Sequence, residues 1–292
     1  MLLRDWITEY YTVHKRLKLK ASTINAYLDC LSHVPAHWEY ETVTAVEIQS
    51  LVNDLFIAGK ASSTIRHVFT IIRKPMLDGI YYGHSNRREA VAGIELPAQH
   101  KKRITALKPQ QLLQFTAAAD ASCHRDTFLF LLNTGLRFAE LAGIDIGDID
   151  IKNRVLTVKQ NFYRGALSTT KTPESVREIP LNDTAYSIVL KHYKLGARAL
   201  PLFTGARGNR LNYRSCLLSL HRVCDRAGLP HCGLHVLRHT FATELLRQGV
   251  QLKVISELLG HKSIVITADI YTDVPFELCE EAVSRLSSAS VI

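Results

Sequence analysis

The segment that most constrains this chain runs from Gly233 to Thr243. Its helically spaced apolar residues predict a helix with one buried face; these residues are Leu234, Leu237, Phe241 and Leu245. His235, Arg238 and His239 lie three and four residues apart, so they project together from a neighbouring strip. A guanidinium beside an imidazole suits a phosphate, because Arg offers a rigid fork of donors and His transfers protons near neutral pH. A surface helix with incidental charges accounts for the same residues.

Positive charge is concentrated in the second part of the chain. The formal net charge is +9 at pH 7, which favours a polyanionic partner. Up to Pro97 there are 11 Lys and Arg against 10 Asp and Glu, whereas from Ala98 onward the counts are 25 and 17. We therefore expect the second part to hold a polyanion strongly, and the first part to hold it through local patches.

Composition predicts a two-domain cytoplasmic protein with free thiols. The 292 residues are 47% hydrophobic, enough for two domains with proper cores. The first residues carry charge at once and no apolar run is long enough to span a bilayer, so we expect neither a signal peptide nor a membrane partner. The six cysteines form no C-x-x-C pair. The nearest cluster of metal-binding residue types has a spacing that fits no metal site; its members are Cys224, His231, Cys232 and His235.

Apolar periodicity and capping residues predict a helical first part, with no confident strand. The pattern Thr44-Ala-Val-Glu47 is typical of a capping box. Ser22-Thr23 is expected to cap an earlier helix, and Ser62-Ser63-Thr64 to start a later one that Pro75 kinks or ends. A first amphipathic segment carries Leu3, Ile7 and Tyr10 or Tyr11.

The second part mixes helices with a strand pair. The alternation over Arg154 to Lys159 predicts a strand, and Arg177 to Leu181 is its expected partner. Helices are expected to begin at Pro109, Asp183, Asn212 and Leu252, and a last segment to be capped by Ser263. These elements together predict a mainly α fold with a small β-sheet.

Five motifs then follow one another in a fixed order. They are Thr134-Gly-Leu-Arg137-Phe-Ala-Glu140-Leu, Lys171-Thr-Pro-Glu-Ser-Val-Arg177-Glu-Ile-Pro-Leu, His235-Val-Leu-Arg238-His239, Leu259-Gly-His261-Lys-Ser and Tyr271-Thr. Each motif alone occurs by chance in unrelated proteins, but the series resembles the tyrosine recombinase (phage integrase) family. The size of the chain resembles that of the simple Xer-type recombinases. The first part resembles the helical core-binding domain more loosely, because Asn86-Arg87 replaces a common Asn-Pro step.

The resemblance implies a domain organisation. Residues 1–97 would form the helical core-binding domain, residues 98–104 a basic linker and residues 105–292 a mixed α/β catalytic domain. The linker would contact DNA through Lys101, Lys102 and Arg103. The terminal helix after Pro275 would either dock on a neighbouring subunit of a tetramer on two DNA sites or pack on its own core.

The resemblance also implies a reaction on double-stranded DNA, with strands exchanged through a Holliday junction. Tyr271 would attack a backbone phosphate and form a 3′-phosphotyrosyl link, which conserves the bond energy so that rejoining needs no ATP. Arg137 and Arg238 would clamp the non-bridging oxygens, and Lys171 would protonate the leaving 5′ oxygen. Tyr163 and Tyr213 are rival tyrosines, but neither lies in the terminal position that the family pattern requires.

Three further residues would support this chemistry. His235 would assist proton transfer at the nucleophile, His261 would donate a hydrogen bond to the phosphate and Glu140 would support Arg137. His239 is expected to pack or bond locally. The resemblance implies no cofactor and no metal, because two guanidiniums and a lysine supply the positive charge. A type IB topoisomerase and a DNA-binding regulator without catalysis are the alternative functions, and the target site and biological task stay open.

Overall fold

The computed structural model describes residues 1–99, 106–169, 176–193 and 201–261, together with Glu280, Val283 and Ser284. The chain divides into two compact units, Met1–Lys102 and Arg103–Ile292. Helices dominate both units and the strands are short, which confirms the predicted mainly α fold with a small β-sheet. Within the described ranges, no helix is long and apolar enough to cross a membrane.

Helices pack around an aromatic core in the first unit. The core includes Trp6, Tyr10 and Tyr40, all fully buried. The Trp6 indole donates to the carbonyl of Pro75 at 3.1 Å, so the largest side chain also satisfies its polar atom. The helices are α1 (Leu3–Glu9), which continues as a π-helical turn (Tyr10–His14), α2 (Ala21–Asp29), α3 (Ala45–Ile57) and α4 (Ser62–Asp78), with 3₁₀ turns at Cys30–His33, Gly79–Tyr82 and Glu89–Val91.

The helix starts of this unit test the capping predictions. Thr44 caps α3 with the predicted reciprocal pair, since its hydroxyl accepts from the Glu47 backbone and its backbone donates to the Glu47 carboxylate. The predicted cap at Ser22-Thr23 is wrong: α2 begins at Ala21, and the Thr23 N–H instead bonds to the Lys20 carbonyl. Pro75 does not end α4, which continues to Asp78 with Pro75 buried in the core.

The second unit surrounds a core of aliphatic and phenylalanine side chains. Its helices are α5 (Pro109–Ala119), α6 (Arg125–Thr134), α7 (Phe138–Gly143), α8 (Asp183–Tyr193), α9 (Tyr213–Ala227), α10 (His235–Arg247) and α11 (Leu252–Leu259), with a 3₁₀ turn at Ile146–Asp148. The predicted starts of α5, α8, α9 and α11 are confirmed, Pro109 occupies the first turn of α5 and Asn212 caps α9. The expected cap at Ser263 lies outside the described residues.

The predicted strand pair is confirmed within a three-stranded antiparallel sheet. Its order is β1 (Ile149–Asp150), β2 (Val155–Val158) and β5 (Arg177–Pro180). In the register of β2 with β5, Leu156 lies opposite Ile179, and both side chains are buried. The sequence interpretation missed a second hairpin between these strands, formed by β3 (Gln160–Tyr163) and β4 (Ala166–Thr169).

Packing brings the motif-bearing elements of the second unit together. Helix α10, which contains the segment from His235 to Thr243, packs against α6 and α11. Helix α7 packs against β3, and β5 packs against α11. The end of α6, the start of α7, the first turn of α10 and the end of α11 therefore converge beside the first residue of β5.

Candidate active site

The candidate active site begins at the turn between α6 and α7. Arg137 is the N-cap of α7, and its backbone N–H donates to the Glu140 carboxylate at 2.8 Å. Its guanidinium donates to the other carboxylate oxygen at 2.8 Å. A carboxylate three residues after the cap satisfies an otherwise unpaired helix N–H. Glu140 thus fixes both the backbone and the side chain of Arg137, which keeps 39% of its side-chain surface exposed.

Glu140 is buried and lies among three guanidinium groups. The Arg177 fork donates to both carboxylate oxygens, at 2.9 and 3.2 Å, and Arg238 Nη1 lies 3.9 Å from Oε2. Burial alone raises the pKa of the carboxyl, but the hydrogen bonds and charge of Arg177, with the charges of Arg137 and Arg238, lower it to about 2. Glu140 is therefore ionised, and one negative charge faces three positive ones.

Arg238 is held rigidly in the interior. It is 4% exposed, and it donates to the carbonyl of Gly135 at 2.7 Å and to that of Leu259 at 2.6 Å. These acceptors are neutral, so they orient the guanidinium without cancelling its charge. Gly135 has φ +63°, and a Cβ there would lie 2.4 Å from Phe241. Only glycine therefore allows the Gly135 carbonyl to lie this close to Arg238.

His261 and His235 complete the described part of the site as neutral imidazoles. Arg238 Nη2 donates to His261 Nε2 at 2.8 Å. Burial, followed by the charges of Arg238, Arg137 and Arg177, lowers the pKa of His261 to about 4. Burial and the same Arg238 and Arg137 charges also lower the pKa of His235. Both rings are therefore uncharged at neutral pH, and a neutral ring can accept a proton.

Four of the six predicted catalytic residues lie where these elements converge: Arg137, His235, Arg238 and, just after the end of α11, His261. Lys171 and Tyr271 lie outside the described residues, as do Lys101, Lys102 and Arg103 of the expected linker. The terminal segment after Pro275 also lies outside them, apart from Glu280, Val283 and Ser284. His239 lies on α10, and burial, followed by the charges of His235 and Arg238, lowers its pKa to about 4.

Arg177 is the residue whose place in the site the sequence interpretation missed. The sequence interpretation included Arg177 only as part of the second motif. In the structure its side chain is 10% exposed, and its Nε donates to the Leu258 carbonyl at 2.8 Å. Arg177 thereby ties β5 to both α7 and the end of α11. The alternation of side chains along β5 could have indicated this role, because Arg177 lies on the same face as the buried Ile179. A buried guanidinium requires a partner such as a carboxylate.

The geometry of this cluster favours binding of an anion. Its formal charge is positive by two, from three guanidiniums and one carboxylate, and both histidines are neutral. Planar guanidiniums match the oxygens of a phosphate. In the part of the chain that the structure describes, no group of three or more His, Cys, Asp or Glu residues could hold a metal ion.

Comparison with known proteins identifies the class. Residues 102–277 match the model of the phage integrase family, and the chain belongs to this family of tyrosine recombinases. It is 28% identical over 264 residues to a XerC-like tyrosine recombinase of Caldanaerobacter subterraneus subsp. tengcongensis, covering 80% of this chain and 68% of the relative. It is 34% identical over 210 residues to tyrosine recombinase XerC of Mycobacterium leprae, covering 68% of this chain and 66% of that one.

Solved integrase structures share the fold. The Tn1549 transposon integrase in complex with transposon right end DNA aligns with a TM-score of 0.79 and 21% identity, over 98% of this chain and 100% of that one. A lambda integrase dimer bound to a core site aligns with a TM-score of 0.70 and 22% identity, over 92% and 95% of the two chains. The family and the fold therefore agree with the resemblance carried by the five motifs.

Proposed function

We propose that this chain is a site-specific DNA recombinase that cleaves and rejoins strands through a 3′-phosphotyrosyl intermediate. The observation that carries this proposal is the Glu140 cluster, in which three guanidiniums are ordered by one buried carboxylate and retain a surplus of positive charge. Tyrosine recombinases of this family act on DNA, and a phosphodiester is the anion that such a cluster would bind in DNA.

Arg137 and Arg238 would hold the two non-bridging oxygens of the scissile phosphate. Arg137 is partly exposed, whereas Arg238 is oriented from behind by the carbonyls of Gly135 and Leu259. Donors fixed before the reaction stabilise the charge that develops in the transition state without reorganising. Their contribution would replace that of a metal ion.

The two histidines would accept a proton from the nucleophile and donate a hydrogen bond to the phosphate. His235 is neutral because burial and nearby guanidiniums lower its pKa, so it can accept the phenolic proton of Tyr271. His261 accepts from Arg238 through Nε2, so its neutral ring carries its proton on Nδ1, the nitrogen that would donate to the phosphate. Glu140 and Arg177 would act by positioning Arg137 and Arg238.

The remaining roles belong to residues outside the described ranges. Tyr271 would attack the phosphorus and Lys171 would protonate the departing 5′ oxygen, which leaves a covalent intermediate whose bond energy drives rejoining. Residues 1–97 would grip DNA as a core-binding domain, and the linker at 98–104 would contact the backbone through Lys101, Lys102 and Arg103. A structure of lambda integrase as a tetramer bound to a Holliday junction supports a tetrameric, junction-forming assembly. The protein would act on DNA in the cytoplasm.

A nicked suicide substrate tests the chemistry directly. The wild-type protein should form a covalent protein–DNA adduct in the absence of any metal or nucleotide, and Tyr271→Phe should abolish it. Tyr163→Phe is the matched control, because this partly exposed tyrosine lies on β3 and should leave the adduct yield unchanged. No adduct from the wild type, or an adduct from Tyr271→Phe, would overturn the proposal.

A two-site assay separates recombination from simple relaxation. A plasmid with two copies of the target site, identified by sequencing the DNA that the protein protects, should yield recombinant products. If the protein formed the adduct and relaxed supercoils without exchanging the sites, the topoisomerase alternative would replace this proposal. If it bound the site without forming an adduct, it would be a regulator.

A further inference from the structure

Two cysteines of the second unit lie side by side next to the start of α10. The Sγ atoms of Cys224 and Cys232 are 3.9 Å apart. Cys224 lies in the last turn of α9 and is buried, whereas Cys232 is partly exposed in the loop that leads to α10. A disulfide has an S–S distance of about 2.05 Å, so an approach of roughly 2 Å would join the two sulfurs.

The surroundings of the pair favour reaction over passive packing. Either thiol can donate to the other sulfur across this contact. With Cys232 as the donor, this bond, together with a backbone donor from Cys232 and the nearby His231, lowers the pKa of Cys224 to about 7 despite its burial. The same contact raises the pKa of Cys232. A substantial fraction of Cys224 is therefore thiolate at neutral pH, and the thiolate is the reactive form.

The loop between the two cysteines is held to α9 by histidine contacts and by the Leu229 N–H, which donates to the Cys224 carbonyl at 2.9 Å. The rings of His221 and His231 stack with centroids 4.2 Å apart, and a ring nitrogen of His221 lies 3.2 Å from the Cys232 carbonyl oxygen. His231 contacts Asp225 at 2.8 Å. Cys224 is fixed by the packing of α9, so closing the gap between the sulfurs would displace the loop around Cys232.

We infer that Cys224 and Cys232 form a reversible dithiol site whose oxidation by peroxide displaces the start of α10 and slows DNA cleavage at least tenfold. Peroxide would reach the pair beside the partly exposed Cys232 and oxidise the thiolate of the pair to a sulfenic acid, with release of hydroxide. The other thiol would then attack that sulfur, forming the S–S bond and releasing water. Overall, two thiols lose two electrons and two protons, and one peroxide becomes two waters.

The effect on cleavage follows from the distance along the chain. Cys232 precedes His235, the first residue of α10, by three positions, and Arg238 lies one turn further on. This inference rests on the proposed function, in which both side chains contact the reacting groups. A displacement of about 1 Å in such a site lowers the rate by about a hundredfold, so we expect at least a tenfold loss of adduct formation in the oxidised protein.

The test oxidises the full-length protein with hydrogen peroxide and measures three quantities. Peptide mapping by mass spectrometry should find the Cys224–Cys232 disulfide, and hydrogen exchange should change across residues 231–240. The rate of adduct formation on the suicide substrate should fall at least tenfold and return after reduction with dithiothreitol. Cys232→Ser should have normal activity before peroxide and retain it afterwards, whereas Cys123→Ser, which removes an exposed thiol, should respond like the wild type.

The outcomes separate this inference from the proposed function. Absence of the disulfide at peroxide concentrations that oxidise Cys123 would overturn the inference, and so would a disulfide that leaves hydrogen exchange at 231–240 unchanged. A disulfide with an unchanged cleavage rate would also overturn it. If the reduced wild type formed no adduct at all, the proposed function would fail, while mapping and hydrogen exchange would still decide whether the dithiol moves α10.

Discussion

Each unit contains a carboxylate that is largely shielded from solvent, and the two differ in how their charge is balanced. In the first unit, Asp78 accepts a hydrogen bond from the Tyr10 hydroxyl and pairs with Lys15 at 3.1 Å. A second lysine, Lys74, lies 3.7 Å away but is 56% exposed, so water screens its charge. Asp78 thus has one close cation, a phenol and a solvated lysine.

In the second unit, one carboxylate orders three cations. Glu140 is 8% exposed in its side chain, and the Arg177 and Arg238 side chains around it are only 10% and 5% exposed. Solvent screens these charges little, so the surplus positive charge persists at the site. Asp78 therefore forms an ion pair within its own unit. Glu140 instead positions three guanidiniums that can bind an anionic ligand.

Removing the two carboxylates should give the largest contrast. Glu140→Gln leaves buried guanidiniums without their counter-charge, and breaking a buried ion pair from one side costs about 3 kcal/mol or more. Asp78→Asn keeps an acceptor for Tyr10 and should lose about 1 kcal/mol. Urea denaturation at pH 7 measures both changes. Equal losses in the two variants would contradict the distinction between the two clusters.

The pH dependence of unfolding tests whether Glu140 acts through its charge. The pKa of Glu140 in the folded chain is lowered from 4.5 to about 2, so its stabilisation is complete above pH 4.5 and is lost as pH falls towards 2. This shift corresponds to about 3 kcal/mol. The difference in unfolding free energy between wild type and Glu140→Gln should therefore shrink between pH 4.5 and 2. A difference that stayed constant over this interval would show that the charge of Glu140 is not what stabilises the cluster.

Arg177, which links three elements, should contribute more to the free energy of unfolding than Arg154, a surface arginine in a similarly short ion pair. Arg177→Lys keeps the charge but loses the fork to Glu140 and the bond to the Leu258 carbonyl, so we expect a loss of about 2 kcal/mol. Arg154→Lys changes an exposed partner of Asp183, whose ion pair of 2.7 Å should contribute less than about 0.5 kcal/mol. Thermal unfolding of both variants measures these losses.

Cleavage kinetics should show the same ranking. Arg177→Lys should lower the rate of adduct formation about tenfold, because misplaced positioning groups disturb Arg137 and Arg238. Arg154→Lys should leave the rate unchanged. Normal stability together with normal cleavage in Arg177→Lys would show that the fork of Arg177 is not needed to position the site.

Local chemistry made much of the second unit predictable from sequence. Pro109 and Asn212 mark helix starts by their own backbone and side-chain properties, and the alternation of β2 and β5 reflects one buried face. The capping prediction at Ser22-Thr23 failed because α2 begins one residue earlier, at Ala21, which places both hydroxyl residues inside the first turn. The β3–β4 hairpin was missed because its strands are short and little buried.

The candidate site likewise has a part that the sequence predicts and a part that it does not. The motifs predicted that Arg137, His235, Arg238 and His261 act together, and their order along the chain carried that prediction. The role of Arg177 depends on which face of β5 lies against α7 and α11, and no local pattern states that packing. The thiol contact between Cys224 and Cys232 likewise depends on how the loop after α9 folds back.

A glycine pair offers the finest test, because it isolates the contact with Arg177. Gly260 ends α11 with φ +64°, and a Cβ there would lie 2.8 Å from Arg177 Nη1. Gly228 ends α9 with φ +65°, and a Cβ there would meet nothing within 4 Å. Both Ala variants should lose about 1 kcal/mol to the left-handed backbone. Gly260→Ala should lose about 1 kcal/mol more in unfolding free energy and cleave DNA more slowly, because Arg177 must move. Equal losses of the two variants in urea denaturation would show that Arg177 can shift without cost and does not hold the cluster in place.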